Sequence, residues 1–358
     1  MKKIPSDLTR RKFLRLLAAS GAGAFLAACG ADKILTPDVA PATSTPHDVP
    51  PTWTPTQPAT KAAEDGVTEP SAAEPTAAPT REPTPAPTAS QAYLAVARGN
   101  DPRAITRAAI AAIGGMARFV KSGDEVILKP NICTDYQTFE YGATTNPQVM
   151  AALVELCLSA GAKRVKVMDN PFGGTAESAY ARSGIADAVR AAGGEMVIMH
   201  RAKFKETAIP DGRSIQSWPV YQEILNADVL IDVPIAKHHG STRLSLASKN
   251  LIGVVQKPGA LHADLHQRIA DLVSLVRPNL TVVDAVRTLM RNGPTGGNLD
   301  DVKIQNTVIA SHDIIAADAY ATTLFDLQPG DVGYIRLGAD MGLGTLDLGG
   351  IAIEEVAV

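Results

Sequence analysis

From Gln91 onward, short apolar runs rich in β-branched residues alternate with longer stretches of helical periodicity. The runs Ala92–Ala97, Glu125–Pro130, Arg164–Asp169, Met196–His200, Val229–Val233, Leu280–Asp284 and Thr307–Ala310 predict strands. Several are unbroken apolar segments, the pattern of parallel strands covered on both faces. Between them, Ala104–Val120, Pro147–Ala160, Ile185–Ala192, Leu244–Val255, His262–Val276 and Ile314–Phe325 predict helices. Pro147 suits a first helical turn, and Gly161 suits a stop after Ala160. The alternation predicts an α/β fold with a doubly wound, mostly parallel sheet, in one globular domain over Gln91–Val358.

Before Gln91 this pattern is absent. Of the 25 prolines, 13 fall between Ala31 and Ser90, among threonine, alanine and acidic residues. Such a segment buries too little apolar surface to offset its chain entropy, so residues 29–90 read as a semi-extended tether. Residues 1–28 read as a targeting segment outside the fold. Thr9-Arg10-Arg11-Lys12-Phe13-Leu14-Arg15 resembles the twin-arginine export motif, and Leu16–Ala28, at 13 residues, is shorter than the ~20 a bilayer span needs. Leu26-Ala27-Ala28-Cys29-Gly30 resembles a lipobox, with Cys29 as the lipidated residue. These resemblances imply an exported protein, lipid-anchored at the outer face of the cytoplasmic membrane or in the cell envelope. Loss of six basic residues and one acidic residue with the signal peptide takes the net charge from −3 to −8. Acyl chains, rather than attraction to anionic lipid, would then hold the mature protein at the membrane.

A balance of 34 basic and 37 acidic residues excludes a nucleic-acid binder that works by neutralising phosphates. Three cysteines exclude a disulfide-stapled scaffold and a four-cysteine zinc or iron–sulfur site.

Open α/β sheets bind ligands beyond the carboxyl ends of their strands. Polar groups follow the predicted strands at four such places: Lys129-Pro130-Asn131, Asp169-Asn170-Pro171, Lys237-His238-His239, and Asp284 with the Gly293–Gly297 loop. A shared pocket is the expectation. Lys129, Lys237 and Lys249, beside Asn131 and Asn250, would suit a carboxylate or phosphate. Lys249 sits in an otherwise apolar predicted helix, where a buried amine would have a lowered pKa and serve as a base or a covalent attachment point.

Four histidines, His238, His239, His262 and His266, fall within 29 residues. His262 and His266 are four apart on a predicted helix, which places both rings on one face. With His239 they offer a site for zinc, iron, nickel or copper; the same residues also read as two exposed helix histidines beside a loop pair. Cys157 reads as core, and Cys133 as core, a reactive thiol or a soft ligand, with a Cys133–Cys157 disulfide open. Asp313 reads as a helix cap, and Asp318 as a partner for one of the lysines.

The motif order resembles the DUF362 family, a group without an assigned function. The stretches that carry the resemblance are Leu128-Lys129-Pro130-Asn131, Thr145-Asn146-Pro147, Gly161-Ala162, Asp228–Pro234 with Lys237-His238, Ser248-Lys249-Asn250-Leu251-Ile252-Gly253, Val282-Val283-Asp284-Ala285, Gly293-Pro294 and Ser311–Ala319. Some members carry an added iron–sulfur segment; this chain has no CxxC repeat, so a cluster of its own is not expected. The spacing His239…Lys249…His266 is similar to lactate-racemase-type proteins, in which a lysine bears a nickel-pincer nucleotide and histidines ligate metal or move protons. Here Thr242–Ala247 replaces their glycine-rich stretch.

The expected protein is an exported, lipid-anchored enzyme carrying out redox or proton transfer on a small anionic organic substrate, with a transition metal or metal-bearing cofactor as a candidate aid. Lys249, Asp169 and Asp284 are its catalytic candidates, and Lys129, Asn131, Lys237 and Asn250 its substrate-binding ones. A non-catalytic anion-binding lipoprotein serving a membrane partner is the alternative, and a structural envelope protein the plainest reading.

Overall fold

The structure, a computed structural model, describes residues 93–358. The expected signal peptide, Cys29, the expected tether and the first predicted strand residue, Ala92, lie outside the described residues.

The described residues begin with β1 (Leu94–Arg98) and α1 (Pro102–Ala112), followed by β2 (Glu125–Pro130) and α2 (Pro147–Ser159). Asn146 caps α2 by accepting the Gln148 N–H, and Pro147 occupies its first turn. Next come β3 (Arg164–Val167), α3 (Ala176–Arg182), α4 (Ile185–Ala191), β4 (Glu195–Met196), the hairpin β5 (Phe204–Ala208) and β6 (Ser217–Tyr221), and α5 (Gln222–Asn226). The second half holds β7 (Val229–Val233), β8 (Ile235–His239), β9 (Arg243–Ser245), α6 (Ala247–Asn250) and α7 (Leu265–Val276). It closes with β10 (Leu280–Leu289), β11 (Val302–Ser311), α8 (Ile314–Thr323), α9 (Gly333–Asp340) and β12 (Ile353–Ala357).

Ten strands form one mixed, mostly parallel sheet, with β12-β1-β11-β10-β7-β2-β3-β4 as its main path and β8 and β9 joined beside β10. Strands β10, β7, β2, β3 and β4 run parallel; β11 is antiparallel to both β1 and β10. Alternate residues of the strands feed two cores, one on each face. Val126, Leu128, Val229 and Ile231 pack with α1 to α4, through residues such as Ile110, Leu153 and Val189. Ile127, Leu230, Val283 and Ile309 pack with α5, α7, α8 and α9 on the opposite face. The two-sided cover explains why β7 reads Val-Leu-Ile-Asp-Val without alternation.

Several elements depart from the sequence pattern for local reasons. Helix α1 ends at Ala112 rather than Val120, because Gly114 and Gly115 both adopt positive φ and terminate it. Pro234, which lacks an N–H, separates β7 from β8, so Lys237-His238-His239 lies on a strand instead of in a loop. Leu244–Val255 is not one helix. Its start pairs with β8 as β9; the carboxylate of Asp318 then receives the Ala247 and Ser248 N–H groups and so fixes where α6 begins. After four residues α6 gives way to a 3₁₀ turn over Leu251–Val254. Met196–His200 forms strand only at Glu195–Met196, and the hairpin β5–β6, polar along much of its length, was not signalled by apolar runs. Among the described residues, no helix is long and apolar enough to cross a membrane.

Candidate functional site

A cleft opens beyond the carboxyl ends of β2 and β3, the place where an open α/β sheet is expected to bind. Its volume is about 90 Å³, and it is lined by Lys129, Asn131, Cys133, Asp169, Lys237, His239, Lys249 and Asn250, with Ile252, Gly253, Pro258, Pro294 and Phe172 among the others. Three of the four polar clusters at predicted strand ends therefore meet here, and the Gly293–Gly297 loop adds Pro294.

The β2/β3 side is a closed network. Lys129, fully buried at the end of β2, donates to Asp169 Oδ1 at 2.6 Å, to the Pro130 carbonyl at 3.0 Å and to Asn250 Oδ1 at 3.2 Å. The Asp169 carboxylate also accepts the N–H of Ile132 (2.6 Å) and of Asn170 (2.9 Å). Asp169 lines the cleft, but with both oxygens committed it holds Lys129 and the following loop rather than standing free as an acid or base. Gly253 makes this approach possible: a Cβ there would lie 2.4 Å from Asp169 Oδ1 and 2.7 Å from Lys129 Nζ.

Asn250 and Asn131 tie this side to the other. Asn131 Nδ2 donates to Asn250 Oδ1 at 2.9 Å, and Asn250 Nδ2 donates to Asp232 Oδ1 at 2.7 Å. Asn131 Oδ1 receives Lys237 Nζ at 2.8 Å. Lys237 is fully buried in β8 and gives its other N–H groups to the Ala143 carbonyl (2.7 Å) and Cys133 Sγ (2.9 Å). Among the described residues no carboxylate pairs with Lys237.

Lys249, on α6, differs from both. It lines the cleft partly buried, and among the described residues it has neither a hydrogen bond nor an ion pair. Burial, helped by the Lys237 charge and opposed by Cys133, lowers its pKa to about 8. His239 accepts the Ser241 N–H at Nδ1, which places its proton on Nε2. Burial, together with the Lys249 and Lys237 charges, lowers its pKa to about 3, so the ring is neutral.

The other candidates lie elsewhere. Asp284 does not line the cleft: it is fully buried, and its oxygens accept the N–H of Asn146 (2.7 Å) and Val286 (3.0 Å), which anchors the start of α2. Burial raises its carboxyl to about 6. Among the described residues Asp318 meets no lysine; it caps α6, the helix that carries Lys249 and Asn250, and burial raises it to about 7. Asp313 caps α8 as expected. Cys133 and Cys157 are both free thiols, and Cys157 belongs to the core.

His262 and His266 do not share a helix face. Lys257 takes φ 55° and Pro258 opens a 3₁₀ stretch to Asp264, so α7 begins only at Leu265. His262 is exposed and contacts the Gly259 carbonyl, whereas His266 stacks on Tyr334. His238 accepts the Gly293 N–H. Among the described residues, no group of three or more His, Cys, Asp or Glu side chains is placed to hold a metal ion. The set His239, His262 and His266 therefore does not fit a common metal.

Asp232 is the residue that sequence reasoning passed over. It lies fully buried in β7, its Oδ2 has no partner, and burial holds its carboxyl well above the usual range against the pull of Lys129. An acid inside Val229–Val233, otherwise wholly apolar, was the available signal. Phe172 was also missed, and Gly253, quoted only within a motif, was given no role, because the roles of both come from contacts between distant loops.

Residues 126–323 match the family described as a domain of unknown function, DUF362. The chain belongs to the DUF362 family. The matched span starts in β2 and ends with α8, so every cleft residue named above falls within it. This DUF362 chain is similar to the thylakoid-associated protein sll1697 of Synechocystis sp., with 28% identity over 242 residues, 64% of this chain and 72% of that protein. Among solved structures it is similar to the lactate racemase apoprotein from Thermoanaerobacterium thermosaccharolyticum, at 12% identity and a TM-score of 0.42, over 61% of this chain and 54% of the other. The DUF362 chain thus spans about half the length of that enzyme.

Proposed function

We propose that the cleft binds a small carbonyl-bearing organic acid and that Lys249 moves a proton at the carbon next to the carbonyl. The observation that carries this reading is an amine facing the cleft with no partner among the described residues, its pKa lowered to about 8 by burial. A group with a pKa near the working pH serves well as a general base.

Charge supports the anionic ligand. The Lys129 ammonium is balanced by Asp169, whereas Lys237 has only neutral oxygens and a thiol about it. His239 is neutral and brings no countercharge. A ligand carboxylate beside Lys237 and Lys249 would supply the missing negative charge, since a buried charge is costly unless paired. In the step proposed, neutral Lys249 takes a proton from carbon, the C–H bond breaks as an N–H bond forms, and the electron pair moves to the carbonyl oxygen as an enolate. Lys237 favours that charge, and return of the proton closes the cycle.

The test is deuterium uptake at the carbon beside the carbonyl of pyruvate and other 2-oxo acids in D₂O, followed by proton NMR. The purified chain should accelerate exchange, with the rate rising as pH approaches and passes about 8. Lys249→Met should lower the rate by at least about 10²-fold, the scale of general base catalysis. Exchange unaffected by Lys249→Met would overturn the reading. Pyruvate binding without exchange would favour the second one, a non-catalytic anion binder, to which the rigid Asn131–Asn250–Lys237 network is also suited.

The same protein is proposed to be exported and held at a membrane through lipid on Cys29. The export and lipidation motifs support this, and the Synechocystis relative is itself named thylakoid-associated. Metabolic labelling with a fatty-acid analogue should mark the wild-type chain and leave Cys29→Ala unlabelled and released from the membrane fraction. Equal labelling of both would refute it.

A further inference from the structure

Six large apolar side chains are exposed among the described residues; one of them, Phe172 (61% exposed), lines the cleft, and another, Tyr136 (54%), lies against Gly173, the residue that follows Phe172. The sequence places them 36 residues apart on loops after different strands, and particular contacts join those loops. The Cys133 carbonyl receives the Phe172 N–H at 2.9 Å, and Ser178 at the start of α3 donates to Asp135 at 2.6 Å. Gly173 leaves room for the approach, and Gly174, at φ 76°, suits it in backbone conformation as well. A Cβ on Gly173 would lie 2.7 Å from the Tyr136 hydroxyl oxygen, and one on Gly174 would lie 2.2 Å from the Asp135 carboxylate. The fold thus holds a tyrosine ring against the residue that follows Phe172, and leaves both rings facing water, where an apolar surface gains nothing until something covers it.

The cleft beneath has two levels. Its floor is polar, made of Lys129, Asn131, Lys237 and Asn250, while Phe172, Ile252, Pro258 and Pro294 form its apolar part. A cavity of about 150 Å³ accommodates a benzene ring. The volume here is about 90 Å³, enough for a compact carboxylate head but too little for a ring beside it. A ring attached to such a head must lie at the mouth, against Phe172.

We propose that the acid bound in the cleft carries a flat aromatic ring, and that Phe172, with Tyr136 beside it, binds that ring at the mouth. The proposal rests on the anion reading above and narrows it from organic acids in general to arylated ones. Ring-to-ring contact in offset or edge geometry adds to the area buried, which makes Phe172 specificity-determining for the tail while the lysines hold the head.

The test compares pyruvate with phenylpyruvate, which share the head and differ by the ring, in calorimetric titrations of the full chain at pH 7. Wild type should bind phenylpyruvate about tenfold more tightly. In Phe172→Ala the ratio of the two affinities should fall close to one, and Phe172→Trp should restore the preference. Phe172 is exposed and its N–H tie to Cys133 is backbone, so the alanine variant keeps both the loop and the fold. Equal affinities in wild type, or a preference that survives Phe172→Ala, would overturn the aromatic clamp and leave the anion reading standing. If neither acid nor inorganic phosphate bound wild type, the anion reading would fall and this proposal with it.

Discussion

Lys129 and Lys237 are equally buried, sit on neighbouring walls of one cleft, and are linked through Asn131 and Asn250. The β2/β3 side nevertheless balances its charge with Asp169, and the β8 side does not. The difference separates structure from function within a single network. A matched buried pair with every ammonium proton and both carboxylate oxygens engaged fixes geometry. A buried ammonium that has only a carbonyl, an amide and a thiol for partners, with an unpartnered amine nearby, leaves room for a charge the protein does not itself provide. By the same logic, the two acids expected to do chemistry, Asp169 and Asp284, have spent their oxygens on holding backbone in place.

The largest expected effect breaks that comparison directly. Lys129→Met removes one member of a closed pair and leaves Asp169 charged and buried, which should destabilise the fold by about 3–5 kcal/mol. Lys237→Met removes a charge that had no carboxylate partner and leaves only neutral acceptors, so its cost should be nearer 1–2 kcal/mol. Urea unfolding of the two variants at pH 7 measures both. If the two losses were equal, the asymmetry between the walls would have no energetic meaning. Added phosphate sharpens the contrast: it should stabilise wild type and Lys129→Met more than Lys237→Met, because a ligand that binds only the native state adds to stability by mass action.

The sheet was largely legible in the sequence because its strands are covered on both faces, so that Glu125–Pro130 and Val229–Val233 stand out as apolar runs whatever their neighbours. The lysine and asparagine candidates were legible for a related reason: they follow such runs, and strand ends converge in an open sheet. What periodicity could not convey was the segment from Leu244 to Asp264. There the backbone is governed by Asp318, more than 50 residues away, and by a strained Lys257 before Pro258. A helix over His262–Val276 would put His262 and His266 on one face, but the helix begins only at Leu265, so His262 falls in the 3₁₀ stretch before it. Asp232 shows the converse. An acid amid valine, leucine and isoleucine was visible in the sequence, but its bond to Asn250 depends on where α6 lies.

The smallest effect concerns Lys249, and it tests whether the open side of the cleft is open in solution. Burial lowers the pKa of this lysine from its ordinary value to about 8 in the folded chain. Below about 8 the amine is charged in both folded and unfolded chains, and the folded one bears the full penalty of holding that charge partly out of water. As pH rises from about 8 toward 10.5, the folded chain releases the proton while the unfolded chain keeps it, so the penalty fades and stability rises. Lys249→Met has no proton to lose. At pH 7 it should be more stable than wild type by about 1 kcal/mol, a figure reduced for the lysine's partial exposure, and the gap should close by pH 10. Denaturant unfolding of the pair at several pH values provides the measurement. A gap that did not change with pH would mean that Lys249 is solvated like a surface lysine. The amine would then lack the lowered pKa that suits it to act as a base, and the cleft would be left with Lys237 as its unbalanced charge.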